Sequence, residues 1–107
     1  MIKTNYHTHT EFCDAKNTAE EMVLAAIEKN FSILGFSSHA MYPFNGGWHI
    51  KPDGYSAYIN EINRLKEKYS DKIKIYTGFE VEYIDGISVP CFDTYREFKP
   101  DYLIGSV

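Results

Sequence analysis

FSILGFSSHA, residues 31–40, is the stretch on which the fold turns. Phe31, Ile33, Leu34 and Phe36 form a short apolar run after Asn30, bounded by polar residues. That is the pattern of a strand covered on both faces, not of one that alternates between core and water. Such a strand belongs in a parallel sheet, and His39 marks its carboxyl end.

The segments on either side support this. Upstream, Thr18 and Glu21 match a capping box, and Met22, Ala25, Ala26 and Lys29 follow helical spacing, with Val23 and Ile27 widening the apolar face. They predict a helix over about 18–30. IKTNY at 2–6 suits a short strand before it. Downstream, the loop MYPFNGGWHIKPDG holds a Gly-Gly pair and two prolines. Tyr58, Ile62, Leu65 and Tyr69 then predict a second helix, about 55–69. KIKIYTGFEVEY, from residue 72, predicts a third strand ending near Glu80 or a little beyond. Pro90 is placed to open a short helix whose Phe92, Tyr95 and Phe98 share a face, and Lys99, Pro100 and Asp101 make the turn into a fourth strand, YLIGSV. Strands alternating with helices in this way imply a parallel sheet with helical crossovers.

At 107 residues the chain is one domain, and 44% hydrophobic with 16% aromatic residues is enough for a core. The net charge of -4 and the lack of a basic run argue against nucleic acid or an anionic membrane as partner. MIKTNY does not resemble a signal peptide, and no apolar run approaches a spanning helix, so a cytoplasmic protein is expected. Cys13 and Cys91, two cysteines in a chain expected to be intracellular, are expected to be reduced thiols, and their spacing matches no zinc-finger pattern.

The candidate chemistry sits at the strand ends. In NYHTHTEFCD, residues 5–14, His7 and His9 are one residue apart, so on a strand their side chains share a face. His39 follows the second strand, Glu80 ends the third, and Asp14 can reach the same rim from the first loop. In parallel α/β sheets and barrels, functional residues gather at the carboxyl ends of strands, which lie on one face. Three imidazoles and two carboxylates suit zinc, manganese or iron. A Glu80 shared between two ions would serve two-metal hydrolysis, with a phosphoryl oxygen polarised and a water activated. An HxH pair alone is a weak signal, and Glu20 and Glu21 read as the first turn of a helix. His49, beside Trp48, is equally a histidine packed on an indole and a substrate contact. Cys13 neighbours the site or packs inward. Phe12, Tyr42, Phe44 and Trp48 either wall a pocket or cover a rim.

These motifs together resemble the polymerase and histidinol phosphatase (PHP) superfamily, and most closely its histidinol-phosphatase branch. HTH at 7–9 with Asp14 resembles the first motif, GFSSHA at 35–40 the second, GFEVEY at 78–83 the third, and YLIGSV at 102–107 the start of the fourth. The resemblance implies a distorted seven-stranded (β/α) TIM-like barrel, of which residues 1–107 are the N-terminal part, with about four parallel strands and three helices. It implies a multinuclear metal centre with His7, His9, Asp14, His39 and Glu80 as ligands and Glu80 as a bridge. The later ligands, beginning with a histidine expected after GSV, and the basic residues for substrate phosphate would come from the other half of the barrel. The second motif reads SSH where many relatives carry an aspartate before the histidine, a change that can alter ligand tuning.

The activity implied is metal-dependent hydrolysis of L-histidinol phosphate, a small-molecule phosphate ester, to L-histidinol and phosphate in histidine biosynthesis. The 107 residues alone are expected to be inactive. The alternatives are a PHP phosphoesterase acting on nucleotides or oligonucleotides, and a noncatalytic fragment that binds a metal or a partner through its open sheet edge.

Overall fold

A computed structural model describes residues 2–40, 47–50, 54–88 and 91–106. The elements run β1 (Thr4–Thr8), α1 (Ala19–Glu28), β2 (Ile33–His39), α2 (Tyr55–Lys68), β3 (Lys74–Glu82), α3 (Phe92–Tyr95) followed by a 3-10 turn (Arg96–Phe98), and β4 (Tyr102–Ser106). The four strands pair in chain order, β1-β2-β3-β4, and every pairing is parallel. The expected alternation is therefore present. Consecutive parallel neighbours require each connection to cross back over the sheet.

One face of the sheet carries the core. Leu34 and Phe36 of β2 and Ile75, Phe79 and Val81 of β3 are buried. Tyr55, Tyr58, Ile62 and Leu65 of α2 are buried with them, and the rings of Tyr55, Tyr58 and Tyr95 lie within 5.3–5.4 Å of Phe79. Glu20 on α1 joins the two long helices, since it accepts hydrogen bonds from Lys68 Nζ (2.7 Å), Tyr69 Oη (2.7 Å) and Arg64 (3.1 Å).

The opposite face is concave. Tyr102 on β4 reaches across two strands to donate a hydrogen bond to the Tyr6 carbonyl on β1, at 2.6 Å. In a flat sheet those strands would be roughly 14 Å apart, well beyond one tyrosine, so the sheet is strongly curled. Gly35 and Gly78 make room for the crossing ring, because a Cβ at residue 78 would lie 2.7 Å from Tyr102 Cζ.

Several element boundaries and faces differ from expectation. The capping box at Thr18 and Glu21 forms, but α1 turns its Ala19–Val23–Ala26 face inward and leaves Ala25 and Lys29 exposed. Helical spacing allows both faces, and packing selects the one in which small alanines flank Val23. The first strand is Thr4–Thr8, two residues later than 2–6, because pairing with β2 begins at Thr4–Ile33. The second begins at Ile33, since the Phe31 N–H still bonds the Ala26 carbonyl at the exit of α1. The third begins at Lys74, after Lys72 and Ile73 close a turn onto the Tyr69 carbonyl, and continues to Glu82. Tyr95 and Phe98 pack inward as expected, whereas Phe92 is 52% exposed because the helix begins only there. Pro90, Tyr42 and Phe44 lie outside the described residues.

Candidate metal centre

The local backbone aims the histidine pair. Asn5 pairs with Leu34 and Thr8 with Phe36, so Tyr6 and His7 together face the single residue Gly35, and β1 bulges there. A bulge bends its strand and redirects side chains. The Asn5 side chain supports it by accepting the His7 N–H at 2.9 Å. Thr8 then points to the buried side, and His7 and His9 both reach Glu80 on the concave face.

The loop after β1 folds back on itself. Thr10 is fully buried, its carbonyl accepts the N–H groups of Cys13 and Ala15, and its hydroxyl shares a hydrogen bond with Ser38 at 3.1 Å. That fold returns Asp14 to the strand ends. His39 terminates β2, and the in-register pair His39–Glu80 places Glu80 beside it on β3.

Five side chains predicted from sequence converge. Glu80 Oε1 meets His7 Nε2 and lies 3.1 Å from His9 Nε2, while Oε2 lies 3.4 Å from His39 Nδ1. Asp14 links the same two rings from the other side, with Oδ1 2.9 Å from His9 Nδ1 and Oδ2 3.2 Å from His39 Nε2. His9 and His39 therefore stand between two carboxylates, their ring centres 4.4 Å apart.

Sequence reasoning missed Glu82, whose Oε1 lies 3.7 Å from His39 Nδ1. The signal was available, since residues two apart on a strand share a face and Glu82 follows Glu80 by two. Three sets offer ligand atoms within 4.8 Å of one another: His7, His9 and Glu80; His9, Asp14 and His39; and His39, Glu80 and Glu82.

The electrostatics suit a cation. The His9 pKa is raised to about 9, through its hydrogen bond with Cys13 and then, against the opposing effect of burial, through Asp14. Burial works against ionising Asp14 and Glu80, yet hydrogen bonds from His9 to the first and from His7 to the second hold both carboxyls below their usual range. The raised pKa keeps protons on the His9 ring, which lies between the two carboxylates. A divalent ion bound by neutral imidazoles would displace them. His39 Nδ1 is buried without a hydrogen bond, an open donor position on the ring shared by two of the sets. The donor set, imidazole nitrogen and carboxylate oxygen, fits zinc, manganese or iron.

The flanking residues have separate places. His49 is buried, its ring is 5.2 Å from Trp48, and its Nδ1–H donates to the Ile50 carbonyl at 3.0 Å, as a histidine packed on an indole would. Trp48 also meets His39 edge-on at 5.1 Å and so covers one side of the centre. Phe12 packs on Tyr58 at 5.8 Å, over the core. Cys13 is half-buried against the core, with its thiol 3.3 Å from Asp14 Oδ1. Among the described residues no helix is long and apolar enough to cross a membrane.

The chain is similar to several known proteins. A histidinol-phosphatase of Bacillus subtilis is 32% identical over 117 residues, covering 97% of this chain and 43% of that protein. A protein of Schizosaccharomyces pombe named "Probable histidinol-phosphatase" is 32% identical over 115 residues, covering 94% of this chain and 37% of its own length. The chain thus spans about two-fifths of the length of these relatives. Among solved structures, the Lactococcus lactis histidinol phosphate phosphatase complexed with zinc, L-histidinol and phosphate superposes with a TM-score of 0.77 at 28% identity, covering 98% of this chain and 40% of that one. The PHP domain family itself matches residues 5–107, and the chain belongs to that family.

Proposed function

We propose that this chain supplies the first group of ligands to the divalent-metal centre of a phosphomonoesterase that converts L-histidinol phosphate to L-histidinol and phosphate, in the cytoplasm, as a step of histidine biosynthesis. The observation that carries the reading is the position of Glu80: one carboxylate faces His7 and His9 through one oxygen and His39 through the other. Likeness to a phosphatase whose structure holds zinc, L-histidinol and phosphate supports the choice of metal and substrate.

A zinc, manganese or iron cluster would supply Lewis acidity toward a phosphoryl oxygen and a water that ionises near neutral pH. The rest falls to side chains. His7, His9 and His39 offer imidazole nitrogens, Asp14 fixes the orientation of two of those rings, and Glu80, with Glu82 beside it, supplies negative charge from a rigid strand. Glu80 is the bridging ligand in this reading. Trp48 keeps water from one side of His39.

The same proposal takes residues 1–107 as the N-terminal part of one PHP domain, with the remaining ligands and the phosphate-binding cations supplied by the other part of the barrel. The share of the relatives' length that this chain covers supports it. A small phosphate ester is favoured over nucleic acid by the net charge of -4.

Metal content of the purified protein, measured by elemental analysis against a His7→Ala, His9→Ala double variant, tests the centre. At least one transition ion per chain, lost in the variant, is expected, and equal content in the two refutes it. For the substrate, a protein carrying these residues within a complete PHP domain should release phosphate from L-histidinol phosphate faster than from nucleoside monophosphates. The reverse order would assign it to nucleotides instead.

A further inference from the structure

The concave face below the metal centre is lined by three tyrosines, Tyr6, Tyr76 and Tyr102, none of which offers a ligand to it. Tyr6 stands 6.2 Å from Tyr76 and meets Tyr102 edge-on at 5.7 Å. Tyr102 differs from the other two because its hydroxyl is spent on a distant backbone atom, the carbonyl of Tyr6.

That carbonyl is not an ordinary one. Tyr6 is the first residue of the β1 bulge, and the next residue is His7. The peptide joining Tyr6 to His7 therefore has its carbonyl oxygen held by Tyr102 and its N–H held by the Asn5 side chain. With both ends fixed, the plane of that peptide sets the direction in which His7 leaves the strand. Gly35 and Gly78 exist in this arrangement as the track on which the Tyr102 ring crosses β2 and β3, since side chains there would meet it.

We infer that Tyr102 is a positioning residue for the metal centre: its hydroxyl locks the bulge of β1 and so presents the His7–His9 pair to Glu80 at the spacing a shared ion needs. This rests on the metal reading above. The chain of contact runs from β4 through a backbone carbonyl to a ligand, so Tyr102 acts on metal affinity without touching metal or substrate. Groups that orient ligands from behind commonly change metal affinity by ten- to a hundredfold when removed. The effect through one neutral hydrogen bond belongs at the lower end of that range.

The test compares Tyr102→Phe, which keeps the ring and removes only the hydroxyl, with Leu103→Ala, which loosens the other face of the same strand where Leu103 packs on the core. Zinc alone is titrated into the metal-free protein by calorimetry, and cobalt is used in parallel for the visible spectrum of the bound ion. Tyr102→Phe should weaken zinc roughly tenfold and alter the cobalt bands. Leu103→Ala should lower the melting temperature yet bind zinc as the wild type does. Wild-type zinc affinity in Tyr102→Phe, or an equal loss in Leu103→Ala, overturns the inference while leaving the metal centre standing. A wild-type protein that takes up no zinc removes both.

Discussion

Replacing Gly78 by alanine adds a single methyl group at the most crowded point of the concave face. The new Cβ would stand 2.7 Å from Tyr102 Cζ and 2.8 Å from each Cε atom, a contact with the flat of the ring and not with a movable tip. Carbon atoms rest at about 3.5–4.0 Å, so the ring must withdraw by roughly 1 Å. It cannot do so and keep its 2.6 Å hydrogen bond to the Tyr6 carbonyl. Overpacking of this kind costs about 1–3 kcal/mol, and the lost hydrogen bond adds about 1 kcal/mol. Against this, alanine in a strand recovers roughly 0.5 kcal/mol of backbone entropy relative to glycine. The net expectation is a loss of about 1.5–3.5 kcal/mol, which for a domain of this size lowers the melting temperature by roughly 6–28 °C. Urea unfolding followed by circular dichroism measures it. In a Tyr102→Leu background the same substitution should be nearly neutral, giving a coupling of about 2 kcal/mol. A Gly78→Ala protein within about 0.5 kcal/mol of wild type, or equal losses in both backgrounds, would refute the account of a ring held over a glycine track.

The remaining predictions concern charge and buried polarity. Glu80→Gln should reduce zinc affinity at least tenfold while leaving the far-ultraviolet circular dichroism unchanged, because it removes the charge and not the strand; unchanged metal content would take Glu80 out of the centre. Glu20 is held near pKa 2 by hydrogen bonds from Lys68, Tyr69 and Arg64, below the 4.5 of a free glutamate. A lowered native pKa means that its contribution is present above about pH 4.5 and fades as pH falls toward 2. Glu20→Gln should therefore flatten acid unfolding across that window, and added salt should do so in part, as chemical denaturation at stepped pH would show. Tyr58 is fully buried, donates to the Gly78 carbonyl at 2.8 Å, and has its phenol pushed up by burial. Tyr58→Phe should cost about 1–3 kcal/mol at neutral pH by removing the hydroxyl that bonds both this carbonyl and the Ser38 N–H. The raised native pKa also makes the unfolded chain lose its proton first above about pH 10, so the wild type should lose stability there more steeply than the variant. Parallel alkaline unfolding curves would contradict this.

Much of the protein was legible in its amino-acid order because the relevant rules are local. A run apolar on both faces, a capping box at Thr18 and a period-two HxH depend on neighbours within a few residues, and they specified the parallel β/α alternation and His7, His9, His39 and Glu80 as strand-end residues. The motifs as a set also specified the PHP family, which the match over residues 5–107 bears out. What depended on distance in the chain could not be read there. The face that α1 buries, the bulge that aims His7, the two-sided grip of Asp14 and Glu80 on His9 and His39, and the reach of Tyr102 over 96 residues to Tyr6 all follow from curling and register. Sequence determines which side chains can hold a metal, since that is a matter of their chemistry. Only the packed sheet decides their directions, because a ligand's aim is set by backbone held in place from another strand.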